Sequence, residues 1–302
     1  MDAFFKKLLI LMAVFVMGTA LAADKALPIG ATEYPPFEYV GLNGKVVGAD
    51  TEIIEQVIKR LGYTSEVRLQ PWTRVMLAGK QGEIAAVYSA LKNPERENFF
   101  YFSDPISAST AVFFKRKEMP FQWKIFDELK SMRVATCAGY AYPKEFIEAL
   151  RQKKFASVVE TFGDGAELVN LQHLKNKRVD LVITDVNVGQ YLINNYKNEL
   201  DGIDYSPRAI GSAESFYLAF SKRWPNSEQL VKEFNAELAK KAAEGGGFVT
   251  FVFNKPGGGT NIGMAAVARA TPSTNTNIEY TAKRPLSVCP AASPSQLVSG
   301  SS

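Results

Sequence analysis

The reactive side chains in this sequence point away from covalent or metal chemistry. The 302-residue chain has one histidine, His173, and two cysteines, Cys137 and Cys289. A Ser-His-Asp triad would have to be built around His173, and no Cys pair has metal-ligand spacing. There is no G-x-S-x-G elbow, H-E-x-x-H helix, phosphate-cradling G-x-x-x-x-G-K loop or Gly-rich dinucleotide fingerprint. His173 reads as a helix-surface residue. Cys137, inside RVATCAGY, reads as part of a buried strand and its exit, and a bridge to Cys289 in the polar tail is not expected. No catalytic residue, metal or cofactor is therefore expected.

Three segments carry side chains suited to holding a small charged solute. EYPPFEYV, Glu33 to Val40, ends a strand in two prolines framed by Tyr34, Phe37 and Tyr39. Rigid Pro-Pro presenting aromatics at the carboxyl end of a strand suits a ligand-stacking wall, because open α/β sheets bind at that edge; the alternative is an aromatic loop packed on the core. SALKNPEREN, Ser89 to Asn98, runs from a strand into a helix start bearing Arg96. Helix N-terminal N–H groups plus a guanidinium make a carboxylate site, unless Arg96 is an exposed cation balanced by Glu95 and Glu97. LVITDVNVG brings Asp185 to the exit of a buried strand, either to face a ligand ammonium or to cap the next helix.

Alternating elements must position these groups. From Ala26 onward, short apolar runs alternate with helical patterns, the signature of an α/β protein with a largely parallel sheet. Ile53, Ile54, Val57, Ile58 and Leu61 form the stripe of a helix after Gly48, with Asp50 as N-cap and Gly62 at its end. A strand over 65–69, a helix over 72–80 and a strand over 84–88 follow, then Pro94 at a first helical position capped by Asn93. A second unit starts at RVATCAGY and passes through a helix carrying Phe146, Ile147 and Leu150, a strand over 157–161 and a helix over 166–175. It ends in a buried strand over 179–183. The chain is expected to cross between two lobes at 110–114 and back at 216–220, and a last helix covers 226–243.

The composition, 46% hydrophobic and 22% charged, is that of a globular protein with a substantial core, and the length suits two lobes. A net charge of +4 without a clustered basic face argues against a nucleic-acid partner. Lys6 and Lys7, the apolar run Leu8 to Val16 and Ala20-Leu21-Ala22 have the layout of a secretory signal peptide cleaved after Ala22. The expected boundaries are a signal peptide over 1–22, a first lobe over 23–114 completed by 213–256, and a second lobe over 115–212. A disordered tail covers 257–302, and its composition also fits an altered reading frame or non-native extension.

Five features in order carry a family resemblance: YPPFEY, the helix from Gly48 to Gly62, the run from Gly82 through NPER to YFSDP, VDLVITD, and the late helix followed by Gly245 to Gly247. Over about residues 26–254 the chain resembles bacterial extracellular solute-binding proteins of family 3, the periplasmic polar amino-acid receptors of ABC importers. The resemblance implies a two-lobed, type II periplasmic-binding-protein-like α/β fold with a ligand cleft between lobes hinged on two crossing strands. It also implies a periplasmic monomer that hands a small polar, amino-acid-like ligand or related anion to a membrane ABC permease. Arg96 would hold the α-carboxylate, Asp185 the α-amino group, and Tyr34 or Phe37 would cover the ligand.

The chain departs from that pattern at three places. Leu91 stands five positions before Arg96 where a small hydroxyl residue is usual, Gly139-Tyr140-Ala141-Tyr142 replaces a Gly followed by Thr or Ser, and Gly82-Glu83-Ile84 lacks the usual Asp. Ser89, Leu91, Trp72, Arg74 and Tyr140 join the candidate ligand-binding set on this ground, and the ligand need not be a standard α-amino acid. Two rivals remain: an enzyme on the same fold, such as a cyclohexadienyl dehydratase using Glu33, Glu38 or Glu214 as acid, and a ligand-sensing module.

Overall fold

The computed structural model describes residues 25–244, so the expected signal peptide, the tail and Cys289 lie outside the described residues. Its strands divide between two sheets. In the first, β1 (Lys25–Ala31) lies parallel between β4 (Tyr63–Leu69) and β5 (Ala86–Leu91). Antiparallel β13 (Glu214–Ser221) joins β5 and also pairs with β6 (Phe100–Phe102) and β7 (Ser107–Ser109). In the second, β9 (Arg133–Cys137) lies parallel between β10 (Ser157–Thr161) and β11 (Leu181–Asp185), and β8 (Ala111–Arg116) runs antiparallel between β11 and β12 (Ile203–Ala209). A short ribbon, β2 (Tyr39–Val40) with β3 (Val46–Val47), stands apart from both.

The first crossing between sheets falls at Thr110, between β7 and β8, and the return lies between β12 and β13. Residues 111–114, which the sequence pattern assigns to the first lobe, therefore belong to the second. Periodicity reveals an apolar strand but not which sheet it joins. That choice is made by pairing: Ala111–Phe114 bond in register to Leu181–Asp185's last four residues.

The helices follow from their apolar spacing. α1 (Ala49–Arg60) buries Ile53, Ile54, Val57 and Ile58, and α2 (Trp72–Gln81) buries Trp72, Val75, Met76 and Gly79. α3 (Pro94–Glu97) is a single turn with Asn93 as its cap. In the second lobe, α4 (Lys144–Arg151), α5 (Ala166–Lys175) and α6 (Val186–Asn195) flank the sheet, followed by the short α7 (Lys197–Leu200). α8 (Ser227–Ala243) returns to the first lobe and packs Phe234 against Phe220 of β13.

Asp50 is not the N-cap of α1: Gly48 occupies that position, and Asp50 lies buried inside the first turn. A side chain at 48 would strike the Phe37 carbonyl, so glycine lets the aromatic loop close over the helix start and turn Asp50 inward. Among the described residues, no helix is long and apolar enough to cross a membrane.

Candidate functional site

A cavity of about 60 Å³ lies between the two sheets. The first lobe supplies Tyr34, Glu38, Trp72, Ser89, Leu91 and Arg96, and the second supplies Tyr140, Tyr142, Glu167, Thr184 and Asp185. Arg96 is only 6% exposed. α3 holds it there: the Asn93 side chain accepts from the Arg96 backbone N–H, turning the side chain inward from a one-turn helix. The Arg96 N–H of that turn is spent on Asn93 Oδ1 and the Glu97 N–H on the Asn93 carbonyl.

The Arg96 guanidinium donates to two carbonyls, Leu91 O at 2.7 Å and Gly139 O at 3.2 Å, and stacks on Trp72 with its central carbon 5.2 Å from the ring centroid. No carboxylate among the described residues bonds to it, and burial lowers its pKa to about 10 against a weak opposing effect of the exposed Glu95. A guanidinium has five N–H donors, so this is a desolvated cation with donors to spare. Leu91 contributes through its carbonyl.

The Gly139 carbonyl also accepts from Trp72 Nε1 at 3.1 Å, so one acceptor in the second lobe fastens two side chains of the first. Gly139 has φ of 74°, and a Cβ there would come 3.0 Å from Thr73 Cγ2, which ties the close approach of the lobes to glycine. Around this latch, Tyr140 packs edge-on against Tyr34 at 6.0 Å and Trp72 at 6.4 Å between ring centroids.

Two candidates lie elsewhere. Phe37 does not line the cavity: it is fully buried behind Tyr34, stacked at 5.8 Å, and backed by Phe216 at 5.2 Å. The cover is Tyr34. Arg74 sits on the exposed face of α2, since Trp72, Val75 and Met76 take the inward positions, and it does not reach the cavity.

Asp185 does line the cavity, but its lone pairs are committed. Oδ1 accepts from the backbone N–H groups of Asn187 and Val188 at the start of α6, and Oδ2 accepts from Ser109 Oγ and the Thr110 N–H. It is thus both a helix cap and a clamp on the first crossing strand. Of the two readings that the sequence left open, the capping one describes what its oxygens do.

The strand exit and aromatic loop also build an acid pair. The Ser89 hydroxyl lies 2.5 Å from Glu38 Oε2 and 2.9 Å from Asp50 Oδ2, and Ser107 Oγ donates to Asp50 Oδ2 at 2.8 Å. Burial drives both acids upward, Asp50 to about 7, with the serine bonds opposing it, and Glu38 well above its usual value, with the Asp50 charge adding to it. Ser89 has one proton to donate, so two ionised carboxylates cannot both be satisfied by it.

A folded-state acid with a raised pKa holds a proton that the unfolded chain has already lost, so its contribution to stability falls as pH rises between about 4 and 7. Asp50→Asn removes that titration while keeping an acceptor for Ser107. The expected result is a shallower decline of melting temperature from pH 5 to pH 8 than in the parent. Parallel curves would show that Asp50 does not titrate in this window.

Several lining residues escaped the sequence reading, among them Tyr142, Glu167, Thr184, Ser109 and Phe216. Glu167 is the most consequential. It begins the first turn of α5, where an acid looks like an ordinary surface residue, yet it is 4% exposed and neither carboxyl oxygen has a hydrogen-bond partner. His173, further along the same helix, is half-buried, and burial followed by the charge of Arg178 lowers its pKa.

The model of the family described as bacterial extracellular solute-binding proteins, family 3, matches residues 28–246. The L-cystine-binding protein TcyJ of Escherichia coli K12 is 26% identical over 213 residues, 70% of this chain and 75% of that one. ABC transporter arginine-binding protein 1 of the same organism is 25% identical over 248 residues, 80% of this chain and 95% of its own length. An ancestral arginine-binding protein solved with arginine superimposes with a TM-score of 0.63 at 25% identity, covering 73% of this chain and 93% of that chain. The matched span takes in the strands of both sheets and the crossings between them, and on that ground the chain belongs to the bacterial extracellular solute-binding proteins, family 3.

Proposed function

We propose that the protein is a periplasmic receptor that captures an amino acid and presents it to a membrane ABC importer, with Arg96 as the anchor for the ligand's carboxylate. The observation that carries this reading is the buried guanidinium with no counter-ion. A ligand carboxylate supplies the missing charge in a dry site, where a charge-assisted bond is strongest. Tyr34, Trp72 and Tyr140 close over it, and residues of both lobes touch the ligand at once, so binding and closure are one event. The cystine- and arginine-binding relatives support the amino-acid class and the importer partner. The cleaved leader and the lobe boundaries, 25–109 with 214–244 against 111–209, belong to the same proposal.

Thermal unfolding with L-arginine, L-lysine, L-histidine, L-glutamine and L-cystine tests it. A bound ligand at 100 times its Kd stabilises by about 2.7 kcal/mol, or roughly 5 to 10 °C for lobes of this size. The absence of any shift at millimolar concentrations would sink the reading. Binding is expected without turnover; conversion of prephenate or arogenate at about one per second or faster would replace the receptor by an enzyme.

A further inference from the structure

We propose that the indole N–H of Trp72 is a positioning group that sets how long any ligand stays bound: it fastens the second lobe to the first beside Arg96 and so adds one common factor to the affinity for every amino acid the cavity admits. The inference rests on the amino-acid reading above and concerns the closure of the lobes, whatever the Trp72 ring itself contributes to a ligand. Trp72 Nε1 donates to Gly139 O at 3.1 Å, and the Arg96 guanidinium donates to the same oxygen at 3.2 Å. A carbonyl has two lone pairs, so this one is filled by two side chains of the opposite lobe. Trp72 is buried, and water does not compete for the bond.

The second lobe holds this acceptor in place with its own bonds. In the loop after β9, the Ala138 N–H donates to Thr161 O at 2.9 Å, the Tyr140 N–H to Cys137 O at 3.3 Å, and the Cys137 N–H to the Tyr142 hydroxyl at 2.6 Å. Gly139 permits the approach: its φ is 74°, and a Cβ there would lie 3.0 Å from Thr73 Cγ2 and 3.6 Å from Trp72 Cδ1. On the first lobe, Trp72 opens α2 and carries the Arg96 guanidinium on its ring at 5.2 Å, so one side chain both supports the anchor and reaches across the cleft. The contact also stands away from the pivot. β9 is separated from the crossing strand β8 by β11, whereas the Ser109–Asp185 bond lies beside the crossing itself. A bond far from the pivot resists opening more than one next to it.

The consequence is kinetic. A ligand meets the lobes while they are apart, before the bond exists, so its rate of association does not depend on Trp72 Nε1. Leaving requires the bond to break, so the dissociation rate carries the effect. One hydrogen bond between packed groups corresponds to about 2- to 12-fold in an equilibrium constant. A bond between lobes cannot read a ligand's side chain, so that factor is shared by all ligands, whereas a contact to the side chain would favour some over others.

Calorimetric titration and rapid-mixing kinetics with L-arginine, L-glutamine and L-cystine test the proposal on the parent, Trp72→Phe, Gly139→Ala and the double variant, each well below its own melting temperature. Trp72→Phe keeps an aromatic ring beside Arg96 and removes the N–H. Gly139→Ala sets a methyl against Thr73; its left-handed φ strains open and closed forms alike and cancels from binding. The expected result is that each single variant weakens every ligand that binds by a common factor, about 2 to 12 for Trp72→Phe, nearly all of it in the dissociation rate, and that the double variant loses little more than the weaker single one. Parental affinity in Trp72→Phe, factors that differ by more than about fivefold between ligands, or single losses that multiply in the double variant would overturn the latch and leave the amino-acid receptor standing. No binding of any of the three by the parent would overturn the proposal through the reading beneath it.

Discussion

Arg96→Ala weakens amino-acid binding by about 30-fold to several thousand-fold, the equivalent of roughly 2 to 5 kcal/mol for breaking a buried, hydrogen-bonded charge pair. The size of the loss follows from burial. An exposed pair contributes about 0 to 1 kcal/mol, but Arg96 is 6% exposed, and a carboxylate entering beside it has left water behind. With the guanidinium gone, that carboxylate is stranded in a cavity whose other charged groups are acids.

The unliganded protein responds differently. Without ligand the guanidinium has carbonyls and a Trp72 ring but no counter-ion, so its desolvation is only partly offset. Arg96→Met fills the same space without charge, and its unliganded melting temperature stays within about 2 °C of the parent's while the ligand-induced shift disappears. A variant that melts far earlier yet keeps parental affinity would make Arg96 a latch between lobes and nothing more.

The elements of this molecule are written in the sequence more plainly than its site. The helix over 166–175 and the strand over 157–161 are found where their patterns put them, because apolar spacing and flanking glycines act within a few residues. Side-chain destinations depend on packing that spacing does not encode. Asp50 has the sequence look of a cap, yet the φ of 129° at Gly48 shifts the helix start back and sends Asp50 to Ser89 and Ser107. Phe37 and Tyr34 are indistinguishable as aromatics beside prolines until the loop folds one behind the other.

Arg74 was decidable in advance. With Trp72, Val75 and Met76 as the inward stripe of α2, position 74 faces outward by helical geometry alone. Glu167 was not. The three residues before α5 give no sign that its first turn sits under the cavity, and an acid near a helix N-terminus has an ordinary explanation in the helix dipole. Its burial in the cavity wall emerges only from the fold.

The second lobe rests on a core whose loss is felt as strongly as that of the anchor. Phe113 is fully buried at the centre of β8, with ring centroids of Trp123, Phe146, Phe155 and Phe121 between 5.4 and 6.3 Å away, mostly edge to face. Phe113→Ala forfeits the transfer energy of the ring and leaves a cavity that four aromatic neighbours, themselves held by helix and loop backbone, cannot refill. The cost is about 3 to 5 kcal/mol, or a fall in melting temperature of roughly 6 to 20 °C. Phe162→Ala is the matching control, because that ring is 70% exposed and its removal stays within about 0.5 kcal/mol. Because β8 pairs with β11, which carries Ile183 and Asp185 to the cavity wall, the destabilised lobe also holds its ligand less tightly near the melting point. Equal melting temperatures for the two alanine variants would mean that the aromatic cluster does not set the stability of this lobe.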